Sequence, residues 1–119
     1  MGIEITGWGK CTPPSVLTNK DLESILDTND EWITSRTGIK ERRILKENGE
    51  GTSFLAIKAA QDLLKKSKLD PSEIEMVIVA SVTPDMPVAA TAVYVATQIG
   101  AVNAFAYDLN AACSGFLYG

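Results

Sequence analysis

Two compact apolar runs constrain this chain more than anything else in it: Met76 to Ser81, with Val77, Ile78 and Val79 at its centre, and Ala104 to Leu109. Runs of that length without polar alternation fit strands buried on both faces of a mostly parallel sheet. Between them, Thr83, Pro84, Asp85 and Pro87 break the chain into a loop, and Ala89 to Ile99 is a small-residue helix closed by Gly100. Ahead of the first run, Phe54, Leu55, Ala59, Leu63 and Leu64 recur at helical spacing from Thr52 or Ser53 to Lys66, with Lys58, Gln61, Asp62 and Lys65 outside the stripe. Asp70 and Pro71 open a short turn before Glu75.

The N-terminal part is more mixed. Ile3 to Trp8 alternates apolar residues and meets Gly9, which predicts a first strand, and Thr12 to Ser15 reads as loop. Thr18 or Asn19 can cap a helix over Lys20 to Leu26, with Asp21 and Glu23 in its first turn, where carboxylates suit the helix dipole. A second helix is predicted over Asp30 to Arg36, started by Thr28 or Asn29 and stopped by Gly38, which puts Trp32 and Arg36 one turn apart on one face. Ile39 to Leu45 reads as extended and Glu47 to Gly51 as a polar loop. The alternation of strands and helices defines an α/β fold. The chain stops at Gly119, about two turns into a helix begun near Ala112. The expectation is that 1–119 form only the first part of a larger domain.

Charge and composition exclude several classes. The net charge of −4 and the scattering of the 11 basic residues, apart from Lys40 to Arg43 and Lys65, Lys66 and Lys68, argue against a nucleic-acid partner. No apolar run reaches the roughly 18 to 20 residues of a membrane span, so no membrane partner and a cytoplasmic location are expected. Cys11 and Cys113 lie far apart without any CxxC or histidine-bearing pattern, so neither a disulfide scaffold nor a metal site is signalled. The chain has no histidine at all, so catalysis that needs imidazole cannot be completed by it alone.

The strongest chemical signal is Asn110-Ala111-Ala112-Cys113-Ser114-Gly115-Phe116, directly after a predicted strand. A thiol there sits at a strand-to-helix junction, where the positive end of a helix dipole favours thiolate and free backbone N–H groups can stabilise an oxyanion. Ala111, Ala112 and Gly115 permit a tight turn and close substrate approach, the logic of a nucleophile elbow. A free cysteine among Ala and Gly is also an ordinary packed core residue, and the residues alone leave both readings open.

The segment Asp108 to Phe116 resembles the nucleophile motif of the β-ketoacyl-acyl-carrier-protein synthase III family. Asp27-Thr28-Asn29-Asp30-Glu31-Trp32-Ile33, followed by Arg36-Thr37-Gly38-Ile39-Lys40-Glu41-Arg42, resembles that family's N-terminal signature, and Ile5-Thr6-Gly7 and Val77-Ile78-Val79-Ala80 match in register. The resemblance implies the N-terminal half of a thiolase-like fold, a mostly parallel sheet with flanking helices, with the C-terminal half absent. It implies a ping-pong acyltransferase that starts fatty-acid biosynthesis: Cys113 takes an acyl group from acyl-coenzyme A, and malonyl-acyl-carrier protein then loses carbon dioxide and attacks the thioester. The coenzyme A thioester is substrate, and no further cofactor or metal is implied. A His and an Asn from the second half promote decarboxylation in the family, so this chain alone is expected to be inactive. Trp32 and Arg36 match residues that hold the adenine of coenzyme A between ring and guanidinium, with Thr28 beside the same base. Read without the family, Trp32 is equally a core anchor and Arg36 an ion-pair partner of Glu31 or Asp30.

The resemblance further implies a homodimer paired through Ala104 to Leu109. Lys40, Arg42 and Arg43 are candidates for a diphosphate or an acidic carrier protein, or form a solvated charged face. One departure stands out at Pro87-Val88-Ala89, where many relatives carry an aromatic residue at the rim of the acyl pocket; the shorter Val88 leaves room for longer or branched primers. Cys11 matches no functional position. Competing readings are another thiolase-fold enzyme, such as a hydroxymethylglutaryl-coenzyme A synthase or a synthase III-like acyltransferase, and a non-catalytic binding module.

Overall fold

The computed structural model describes residues 2–46 and 51–119, and the chain divides into two compact units, Thr12–Asn48 and Met1–Cys11 with Gly49–Gly119. Most of the polar loop predicted from Glu47 to Gly51 lies outside the described residues.

The unit Thr12–Asn48 contains β1 (Ser15–Thr18), α1 (Asn19–Glu23), α2 (Asp30–Thr37) and β2 (Glu41–Ile44). The sequence predicts no strand at Ser15; the structure pairs β1 antiparallel with β2, Ser15 opposite Ile44 and Thr18 opposite Glu41. Thr18 closes that strand and opens α1 through a capping box, its hydroxyl accepting from Asp21 N–H while the Asp21 carboxylate accepts from Thr18 N–H at 2.8 Å. α1 stops at Glu23, short of the predicted Leu26. The Ser24 hydroxyl donates to the Asp21 carbonyl at 2.6 Å and Ser24 N–H takes the same carbonyl, so the turn tightens where the helix would continue.

α2 runs as predicted, with one further residue. Asn29 caps it by accepting from Trp32 N–H at 2.8 Å, and Gly38 ends it at φ 72°, a left-handed conformation that a side chain would resist. Ile33 alone is buried among its eight residues. One buried aliphatic side chain contributes about 1.5–3 kcal/mol, little with which to fix a helix's orientation. The remaining hold is polar. Asn19, 1% exposed, lies under α2 and bonds to it, to the chain leaving it and to β2.

The second unit contains α3 (Thr52–Ser67), a 3-10 turn (Pro71–Glu73), β3 (Met76–Ala80), α4 (Thr91–Ile99), β4 (Phe105–Leu109), a 3-10 turn (Ala112–Ser114) and α5 (Gly115–Tyr118). β3 and β4 pair in parallel, Met76 opposite Phe105 and Ala80 opposite Leu109. α4 is the crossover between them and packs against β3, β4 and α3. Its buried face is Thr91, Ala92, Val95 and Ala96, small residues at helical spacing that allow close approach.

Two predictions for this unit need correction. Ile3 to Trp8 forms no strand: Ile3 and Ile5 are exposed, and among the described residues no neighbouring strand supplies a ladder. β3 and β4 are half-buried and not covered on both faces, with Met76, Phe105 and Tyr107 exposed, because a two-stranded sheet offers more surface than α4 covers.

Both long helices of this unit lack a capping side chain at their own N-cap, Gly51 for α3 and Ala90 for α4. Distant carboxylates serve instead. Both oxygens of Asp85 accept from Ser53 N–H at 3.1 Å, and Asp108 on β4 accepts from Thr91 N–H at 2.8 Å and Ala92 N–H at 2.7 Å. A carboxylate at a helix start is worth about 1 kcal/mol and also opposes the positive dipole end. No helix among the described residues is long and apolar enough to cross a membrane.

Candidate functional site

Cys113 sits in the tight connection that follows β4. Asn110 and Ala111 leave the strand, Ala112 takes a left-handed backbone at φ 43°, and a 3-10 turn carries Cys113 into α5. A non-glycine residue in that region costs about 1–3 kcal/mol, so the surrounding structure must enforce it. Ser114 N–H donates to the Ala111 carbonyl at 2.9 Å, closing the turn. Its close seat explains Gly115: a Cβ there would lie 3.0 Å from the Ala80 Cβ at the end of β3. The outcome is a thiol that is exposed in this chain.

The predicted helix start is displaced. α5 begins at Gly115, after the left-handed Ala112 and the 3-10 turn that follows it. What the turn offers is a thiol beside the first N–H groups of a helical turn, which have no partner within it.

Asp108 ties this strand to the start of α4. Together with Ser81, Met86, Val88, Ala90 and Asn110 it lines a cavity of about 330 Å³. Val88 lines the cavity although the residue is 97% exposed, and Cys113 is not part of the lining. Cys11 is half-buried, elsewhere in the same unit.

The other candidates gather in the unit Thr12–Asn48. Thr28 and Trp32 share a concavity of about 650 Å³ with Leu22, Leu26, Asp27 and Asn29. Trp32 is 53% exposed in this chain. Arg36 stands with its Cζ 4.8 Å from the centre of the Trp32 ring, a cation–π contact, rather than pairing with Asp30 or Glu31. A flat base between the two groups needs two contacts of about 3.5 Å each, so the guanidinium must swing outward by roughly 2 Å to admit one. Asp30 is exposed, and its Oδ1 accepts from the Asn19 amide at 2.7 Å and the Thr34 hydroxyl at 3.1 Å. These bonds, Asn19's first, hold its carboxyl below the usual aspartate range.

The basic cluster after α2 divides by strand alternation. Arg42 turns inward and donates to Asn19 Oδ1 at 2.7 Å, whereas Arg43 is exposed, 3.7 Å from Glu41, and Lys40 is exposed. The sequence marks Asn19 only as a possible helix cap, and gives Asp85 and Asp108 no sign of their capping roles. Each works across a distance in sequence that no local pattern carries. Among the described residues no group of acidic, cysteine or histidine side chains could hold a metal ion.

A strand-to-helix turn presenting a cysteine, behind a parallel β3-α4-β4 unit, belongs to the thiolase-like fold, and the structural comparisons agree. A solved 3-oxoacyl-[acyl-carrier-protein] synthase III from Aquifex aeolicus matches 98% of this chain with a TM-score of 0.92 and 49% identity. The priming β-ketosynthase of a polyketide pathway matches 94% with a TM-score of 0.88 and 36% identity. Within that class, the chain is similar to β-ketoacyl-[acyl-carrier-protein] synthase III: the protein of that name from Chlorobium chlorochromatii is 57% identical over 118 residues, 99% of this chain. The chain spans about a third of the length of these proteins, 36% of the Chlorobium one and 37% of the Aquifex one. No protein-family model matches it.

Proposed function

We propose that this chain supplies the nucleophile and the nucleotide-recognition face of a β-ketoacyl-acyl-carrier-protein synthase III. The observation that carries the reading is the exposed Trp32 and Arg36 pair at 4.8 Å beside the groove of Thr28, in a chain that also presents an exposed Cys113 on a left-handed turn. Trp32 stacks on one side of the coenzyme A adenine, Arg36 on the other, and Thr28 borders its edge. The Cys113 sulfur attacks the acyl carbonyl carbon, the bond from that carbon to the coenzyme A sulfur breaks, and coenzyme A leaves as thiol with the proton that Cys113 gave up. Malonyl-acyl-carrier protein then loses carbon dioxide, and its carbanion attacks the acyl-cysteine to give the 3-oxoacyl product and free Cys113. Capture on the thiol divides one hard carbon–carbon bond formation into two easier steps.

Of the decarboxylation donors, a His and an Asn, the His lies outside these residues, since the chain has no histidine. The protein acts as a homodimer in the cytoplasm, and the exposed Lys40 and Arg43 meet the acidic carrier. Val88 supports a second reading, a synthase III-like acyltransferase with a longer or branched primer, because it leaves the cavity beside Asp108 open. The test is mass spectrometry of tryptic peptides after incubation with acetyl-coenzyme A and with a branched acyl-coenzyme A. Label on the Cys113 peptide is expected, and label confined to Cys11 refutes the assignment.

A further inference from the structure

We infer that Asn19 is a positioning residue for the coenzyme A face, fixing through α2 the direction in which Trp32 and Arg36 project; the inference rests on the reading of that face given above. Asn19 is 1% exposed and cannot touch a ligand itself. Its amide has two hydrogens, and the two shortest contacts of Nδ2 are Asp30 Oδ1 at 2.7 Å and the Ile39 carbonyl at 2.8 Å. Asp30 is the first residue of α2 and Ile39 follows its Gly38 cap, so one side chain grips both ends of the helix. A third acceptor, Thr34 Oγ1, lies 3.3 Å away in the middle of α2. On its other side Asn19 Oδ1 accepts from Arg42 Nη1 at 2.7 Å, and its backbone N–H donates to the Lys40 carbonyl at 3.1 Å, which anchors the grip to β2 and the chain before it.

The side of α2 that meets Asn19 carries the exposed Asp30, the half-buried Thr34 and Ile33, the one side chain there that is apolar and buried. Apolar contact at a single residue leaves rotation about the helix axis weakly determined, whereas two directional bonds at opposite ends determine it. Trp32 and Arg36 lie on the outward face, so a small rotation moves both at once.

Asn19→Asp keeps the shape and replaces both hydrogens with a lone-pair oxygen facing Asp30 Oδ1 and the Ile39 carbonyl. The charged groups around it are Asp30 of α2, Arg42 of β2, Lys40 between them, and Glu23 of α1, which accepts from Asp30 N–H at 2.7 Å. Isothermal titration with coenzyme A on the intact protein is expected to show at least tenfold weaker binding at pH 7.5. Partial recovery is expected toward pH 5, where a proton shared between positions 19 and 30 restores one bond. The exchange Asn19→Asp with Asp30→Asn returns a donor to the pair and is expected to recover most of the affinity at pH 7.5 without that pH dependence. Asn19→Ser removes both amide hydrogens, leaving one hydroxyl on a shorter side chain, without adding charge; it serves if Asn19→Asp does not fold, and is expected to weaken binding equally at both pH values.

Wild-type affinity in a folded Asn19→Asp or Asn19→Ser protein overturns the inference, as does a folded exchange variant that recovers nothing. In the intact protein labelled with 5-fluorotryptophan, the fluorine resonance assigned to Trp32 by its loss in Trp32→Phe reports that ring. If the wild type binds no coenzyme A, the reading of the face falls while this signal still decides the inference: a Trp32 resonance shifted by Asn19→Asp and restored by the exchange supports it, and an unchanged resonance overturns it.

Discussion

The two units hold their key helices by opposite means. α4 has a face of four buried residues pressed on β3, β4 and α3, and a carboxylate from β4 at its start. α2 has one buried residue and a fully buried amide beneath it. Apolar packing lets α4 bury its surface and leaves the functional group to the neighbouring strand, which delivers Cys113. A polar underside leaves α2 free to carry a large aromatic ring and a guanidinium on its outer face without competing for the core. The proposed recognition face and the proposed nucleophile thus rest on different kinds of support, and the two should fail differently.

The sharpest break of that contrast is at Cys113. Cys113→Ala is expected to abolish acyl capture from acetyl-coenzyme A, read by mass spectrometry, while changing stability by no more than about 0.5 kcal/mol, because the side chain is exposed. Asn19→Ala strikes the support of the other unit. It leaves the Arg42 guanidinium and the Ile39 carbonyl without their partner and is expected to cost about 2–3 kcal/mol in urea unfolding. Asp108→Ala, its counterpart under α4, is expected to cost about 1–2 kcal/mol by the same measurement, since it removes the bonds to Thr91 and Ala92 N–H but no apolar contact of α4. If Asp108→Ala proves the more damaging, the contrast between the units is misdrawn.

Trp32→Ala and Arg36→Ala are each expected to weaken coenzyme A by about 1–2 kcal/mol in calorimetry with stability nearly unchanged, as their half-exposed contact predicts. The smallest effect is in acid. The Asp30 carboxyl is held below its ordinary range by Asn19 and then Thr34, so its contribution to stability is present above the unfolded value, about pH 4, and is lost as pH falls through the lower folded value. Stability measured from pH 5 to pH 2 is expected to fall less in Asn19→Ala than in the wild type.

Helix α2, with Asn29 before it and Gly38 after it, was legible because its caps are local, and so was α3, whose apolar stripe has the helical period. The nucleophile turn was legible as a junction but not in its detail. Nothing in Ala111-Ala112 announces that the second alanine takes φ 43°, a conformation set by the strand and helix on either side. The strand at Ser15 was missed because Pro13 and Pro14 mask it and its partner lies beyond two helices. The strand expected over Ile3 to Trp8 shows the reverse error, since alternation records a strand's readiness to pair and not the presence of a partner. Asn19 was invisible as a hub for the reason that made it plausible as a cap: its short amide suits both, and only the return of Asp30, Ile39 and Arg42 to one place tells them apart.

The contact between Gly115 and Ala80 reaches beyond the turn that it closes. The end of β3 and the start of α5 meet there with no spare methyl group between them, 3.0 Å from Cβ to a virtual Cβ. Residue 80 therefore sets the depth at which the thiol is seated. A bulkier side chain on that strand would lift α5 and with it Cys113, so the reach of the thiol is governed by the size of an alanine that bears no reactive group.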